Sequence, residues 1–120
     1  MLQLSSCLFA TVVVHAYAAR NAWVHHGFLT LTLTSVLFHT THEERWRVLD
    51  KGLAHLVLAL VALDTPRVLA GPSWWVLAFP LGTLACWGAE CLFNEGRGRD
   101  RVHLALHLVS LAGMHAYLRV

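Results

Sequence analysis

Apolar positions gather into five stretches, at about 2–19, 23–42, 48–63, 74–93 and 102–118, with short polar segments between them. Each approaches the ~20 residues that let a helix cross roughly 30 Å of hydrocarbon, the third being short. In lipid such stretches must be helical, because backbone groups left without partners there are costly. The pattern therefore predicts an all-α membrane protein, one transmembrane domain over 1–120 built as a bundle of about five helices.

The polar segments carry the punctuation expected of loops. Arg20-Asn21 separates the first pair, and Glu43-Glu44-Arg45-Trp46-Arg47 the second. Asp64-Thr65-Pro66-Arg67 and Gly71-Pro72-Ser73 lie between the third and fourth, and Asn94 to Arg101 before the fifth. Trp23, Trp46, Trp74, Trp75 and Tyr117 fall near segment ends, where amphipathic rings favour an interface. Pro80 is expected to kink the fourth helix near its N-terminal third. Ala16-Tyr17-Ala18 resembles a signal-peptidase site, but no Lys or Arg precedes it, so the first helix is expected to be retained. Basic residues cluster on one side: Arg45, Arg47 and Lys51, then Arg97, Arg99 and Arg101. By the positive-inside rule that side, with the N-terminus, is cytoplasmic, as in a multi-pass protein of a bacterial inner membrane or its equivalent.

Composition strengthens this expectation. Of 120 residues 57% are hydrophobic and only 13% charged, where soluble domains carry about a quarter charged. A formal charge of +2, without a basic run, gives no reason to expect a nucleic-acid partner. Cys7, Cys86 and Cys91 form no CxxC and are odd in number, so they read as buried thiols rather than a disulfide framework. Small residues in the last two stretches (Gly82, Ala85, Gly88, Ala89, Ala105, Ala112, Gly113) suit close helix contact and are compatible with a homo-oligomer.

Histidine changes the picture, with nine in the chain. Ser35 and His39 are four apart near the end of the second stretch, and His103 and His107 four apart at the start of the fifth. Each pair shares a helix face. With Asp50 at the start of the third stretch, three helices present polar groups at one depth. Three imidazoles with one open position make a common catalytic zinc arrangement. A nearby carboxylate such as Asp50 would accept a proton from water, and a hydroxyl such as Ser35 would steady a developing oxyanion. The plainer alternative is histidines that hydrogen-bond between helices.

In the sequence Ser35-Val36-Leu37-Phe38-His39, then Asp50, then His103-Leu104-Ala105-Leu106-His107, the chain resembles the SxxxH, D and HxxxH signature of the CREST superfamily. That group includes alkaline ceramidases and the progestin and adipoQ receptors. Leu37-Phe38-His39-Thr40-Thr41-His42 is also similar to the family's second-helix ending. The resemblance implies a zinc ion held by His39, His103 and His107, with Asp50 acting through water and Ser35 as the hydroxyl of the motif. It implies hydrolysis of an amide or ester of a membrane lipid. The family has seven helices where five are expected here, and the acidic calcium site of its ceramidases is expected to be absent, since no Asp or Glu precedes Glu43.

Other polar residues are weighed beside this set. His42, one turn beyond His39, His55, five beyond Asp50, and Glu90, the only acid well inside an apolar stretch, are candidates to support the ligands. His15, His25, His26 and His115 fall toward the other end and read as packing groups, or together as a second metal or haem site. Two other functions remain open. One is a bis-histidine haem electron carrier pairing His15 with His115 and His39 with His107. The other is a non-enzymatic receptor or structural protein in which zinc only staples helices.

Overall fold

The computed structural model describes residues 2–92 and 97–120, except for the side chain of Arg97. Its helices are α1 (Leu2–Ala18), α2 (Ala22–Thr41), α3 (Glu44–Leu63), the single turn α4 (Thr65–Leu69), α5 (Ala78–Glu90) and α6 (Arg97–Tyr117). A 3-10 turn at Trp74–Leu77 leads into α5.

The expected membrane bundle is not what these residues build. Among the described residues no helix is long and apolar enough to cross a membrane. The fourth stretch gives a 3-10 turn and then only 13 helical residues, about 20 Å of α-helix against the ~30 Å to be crossed. Helix α1 has 17 residues. Helix α3 starts three residues after Thr41 and takes Glu44, Arg45, Arg47, Asp50 and Lys51 into its own first turns. Helix α6 likewise takes in Arg99, Asp100 and Arg101. Glu44, Arg45 and Arg47, and Arg99, Asp100 and Arg101, expected in loops, are thus helical and dilute the apolar runs. The expectations of a multi-pass inner-membrane protein with a cytoplasmic N-terminus, of a bilayer as partner and of a membrane-lipid setting are corrected accordingly. Pro80 lies at the third position of α5, where a proline needs no kink. Asn94, Glu95 and Gly96, with Phe93, lie outside the described residues.

Tight connections set the order of the helices. Arg20 takes a left-handed φ of 55°, and Asn21 then caps α2 by accepting from the Val24 N–H at 3.3 Å. His42, also at φ 55°, ends α2 with its N–H on the Phe38 carbonyl, and α3 begins two residues later. These turns fold α1, α2 and α3 into consecutive antiparallel neighbours. Helix α6 packs against both α1 and α5, so the helices run α3, α2, α1, α6, α5 around the molecule. The ring stays open between α3 and the α5–α6 pair, and that gap is the main cavity. Across it His55 of α3 stacks on Trp87 of α5, centroids 4.3 Å apart and planes 6° apart.

Each inward stripe changes character along its length. On α1 Ser5 precedes Phe9, Val12 and Ala16; on α2 Val24, Phe28 and Leu31 precede Ser35 and His39; on α3 Asp50 precedes Val57 and Val61. On α6 His107 precedes Met114 and Tyr117. The spacings of three and four keep each set on one helix face. The apolar ends form one core, and the polar ends meet at the other end of the bundle. Outward faces carry many leucines, Leu33, Leu56, Leu81 and Leu84 among them. Cys7 and Cys91 are exposed and Cys86 half-buried, so the thiols are free but not the packed groups expected.

Candidate metal centre

The polar stripe ends bring His39, His103 and His107 together. One ligand nitrogen from each lies within 4.8 Å of the other two, against about 3.3 Å between nitrogens around a tetrahedral zinc. Small ring rotations cover that difference. Ring centroids are 4.6 Å apart for His103–His107, 5.2 Å for His39–His103 and 5.6 Å for His39–His107.

Hydrogen bonds on the outer nitrogens determine what faces inward. The Ser5 hydroxyl donates to the Leu2 carbonyl at 2.9 Å, so its oxygen accepts from His107 Nδ1–H at 2.7 Å. His103 Nδ1–H donates to the Glu90 carboxylate at 3.1 and 3.2 Å. Both rings, when neutral, therefore turn a bare Nε2 toward the cluster. His39 Nε2 and His103 Nε2 are buried without any hydrogen-bond partner. Buried nitrogens are rarely left this way, and a cation among them would satisfy both. A buried His39/His103/His107 group that could hold a metal ion is thus present.

Electrostatics agree with neutral rings. Burial, with His103 and His42 nearby, pushes the His39 imidazole down to about 4. Burial pushes His107 to about 3, with His103 and His39 adding to it. A neutral imidazole is the metal-binding form. The hydrogen bond from His103, with Arg99 3.6 Å away, holds Glu90 below the usual carboxylate range.

Asp50 is buried and lines the same cavity as Ser35, His103 and His107. Burial pushes its carboxyl up to about 6, against the charges of His103 and Lys51. Ser35 in turn shares a hydrogen bond of 2.8 Å with Ser6, whose hydroxyl donates to the Leu2 carbonyl.

The remaining candidates divide. Glu90 joins the cluster through His103. His42 is exposed at the end of α2, beside Phe38. His55 is exposed, with Nδ1 2.6 Å from the Lys51 carbonyl and its ring on Trp87. His15 and His115 stack on each other with Nδ1 atoms 2.7 Å apart, while His25 and His26 pack together near Tyr17. Sequence reasoning missed Ser5 and Ser6. Their signal was phase: Ser5 lies four residues before Phe9 on the inward stripe of α1.

Compared with known proteins, the chain matches no family model, no curated protein and no solved structure.

Proposed function

We propose that the protein is a zinc-dependent hydrolase of an amide or ester with an apolar acyl group. The observation that supports this most is the set of inward-facing imidazole nitrogens, two of them buried without a partner, beside a buried carboxylate. The likeness of Ser35, His39, Asp50, His103 and His107 to the CREST signature points the same way.

Three imidazoles are a known ligand set of catalytic zinc. A zinc ion held by His39, His103 and His107 would supply a Lewis acid that polarises a carbonyl and brings the pKa of water toward neutrality. Asp50 is the proton acceptor for the attacking water, and its raised affinity for protons suits a base that must later return one to the leaving group. Ser35 lines the cavity beside Asp50. Glu90 and Ser5 hold His103 and His107 in the tautomer that offers Nε2. The acyl group would lie in the adjoining cavity, of about 100 Å³, which opens to the surface. Most of its wall is apolar, including Phe9, Phe28, Leu31 and Val57.

Elemental analysis of the purified protein, beside His103→Ala/His107→Ala and Asp50→Asn, tests this reading. The expected result is about one zinc per chain, lost in the double variant. Asp50→Asn should keep the zinc and lower turnover of an acyl amide or ester by about 10²–10⁴-fold. Protein prepared without chelators that holds no metal would overturn the proposal, and iron with a Soret band would replace it with haem binding.

A further inference from the structure

The cavity beside the histidines is lined along α6 from His103 to Tyr117. Its wall on α6 is one stripe, His103, His107, Ser110, Met114 and Tyr117, a single helix face that a linear chain follows better than a disc. Midway, Thr83 and Ser110 are hydrogen-bonded to each other at 3.1 Å, which leaves the passage without a competing polar group. At the far end stands Tyr117, only 5% exposed. The same side chain also lines a separate surface groove, with Trp23, Leu60, Leu63, Asp64 and Arg67. Tyr117 is therefore the partition between the two spaces.

That partition is fastened on several sides. The Tyr117 hydroxyl donates to Asp64 Oδ2 at 2.6 Å. Arg67 pairs with the same carboxylate at 2.6 Å and lies 5.8 Å from the centre of the tyrosine ring. Trp23 meets the ring edge-on at 6.1 Å. Groups from the α3–α4 junction and from α2 thus fix a residue of α6.

We propose that Tyr117, held by Asp64 and Arg67, is the end wall of the acyl cavity and sets the longest straight alkyl chain that the site accepts. This deepens the hydrolase reading and rests on it for the chemistry at the other end. Ten residues of α6 at 1.5 Å each separate Tyr117 from His107, about 15 Å, the length of a straight chain of about twelve carbons.

The test is equilibrium binding of straight-chain fatty acids, from octanoate to stearate, to the zinc-loaded protein. Affinity should rise about fourfold per added carbon, from the cost of leaving a methylene in water, and stop rising near laurate. Tyr117→Ala joins cavity to groove and should move the limit outward by about four carbons. Val61→Phe fills the far end and should move it inward, so either variant decides if the other fails to fold. Tyr117→Phe keeps the wall and should keep the limit. An unchanged limit in a folded Tyr117→Ala or Val61→Phe, or no dependence on chain length in the wild type, overturns the proposal. Zinc-dependent turnover of a short acyl amide with no chain-length dependence sinks the end wall alone. A limit that moves as expected, in protein without turnover, sinks the hydrolase reading and leaves the end wall standing.

Discussion

At the scale of single residues, Ser5 and Glu90 govern what the histidines offer. Each takes an Nδ1–H and so leaves Nε2 as the free ligand atom of His107 or His103. Outer partners of this kind are worth about 10–100-fold in metal affinity. Competition with a chromophoric chelator should therefore show Ser5→Ala weakening zinc by about that factor. Glu90→Gln, which keeps an accepting oxygen but loses the charge, should weaken it less than Glu90→Ala. Equal affinity in all four proteins would mean that the tautomers are set by something else. His39, His103 and His107 were legible because spacings of four mark one helix face whatever surrounds the helix. Ser5 was not, since a serine in an apolar helix commonly serves only packing, and its role shows once Phe9, Val12 and Ala16 fix the inward direction of α1.

Helices set the limits of that reading. Runs of apolar residues mark where the chain is helical, but their length was taken for a span. The run at 74–93 contains a 3-10 turn before Ala78, and the charges flanking the runs near 48 and 102 belong to α3 and α6 themselves. Apolar content does not encode where a helix is interrupted. The small residues do have a clear consequence. A Cβ on Gly113 would lie 2.5 Å from Phe79 Cβ, close to the backbone of α5, with little freedom to move away. Gly113→Ala should cost about 1–3 kcal/mol of stability by overpacking, read as a lower urea midpoint. Gly82→Ala meets only the end of Val109 at 3.1 Å and should cost less. A Gly113→Ala protein as stable as wild type would show that α5 and α6 are not held this closely.

For the whole molecule, burying imidazoles ties folding to pH. His39 and His107 fall to about 4 and 3 in the folded chain, from an ordinary 6.5. An unfolded chain therefore takes up their protons first, and metal-free protein loses stability as pH falls below about 6.5. Asp50 acts in the opposite sense. Its folded carboxyl, near 6 rather than 3.8, takes its proton first and regains stability as pH falls through that window. Of these three, two groups against one leave a net loss between about pH 6 and 4 of roughly 1.4 kcal/mol per unit, and His115, held below its ordinary value by burial, adds to it. Urea unfolding of the metal-free protein across this range measures it, and a stability that rises on acidification would contradict the buried cluster. The cluster was thus readable from sequence, and the surroundings were not. The 57% of hydrophobic residues counts the outward leucines together with the core and does not say which are which.

The two halves of the open ring are joined through α1 and α6. The bond between Ser5 and His107 joins positions 102 apart in the chain, and the histidines of α6 are made only after α1 to α5. On the ribosome, a chain that has produced α1 to α5 holds His39 but neither of its two partners. The three-histidine set is complete only once His107 has been made. Until then the polar stripe ends of α1, α2 and α3 stand open, and contacts this far apart in sequence form late and slowly. The nascent protein thus has a vulnerable interval that ends when α6 docks, and a metal ion bound at that moment would act as a latch on folding.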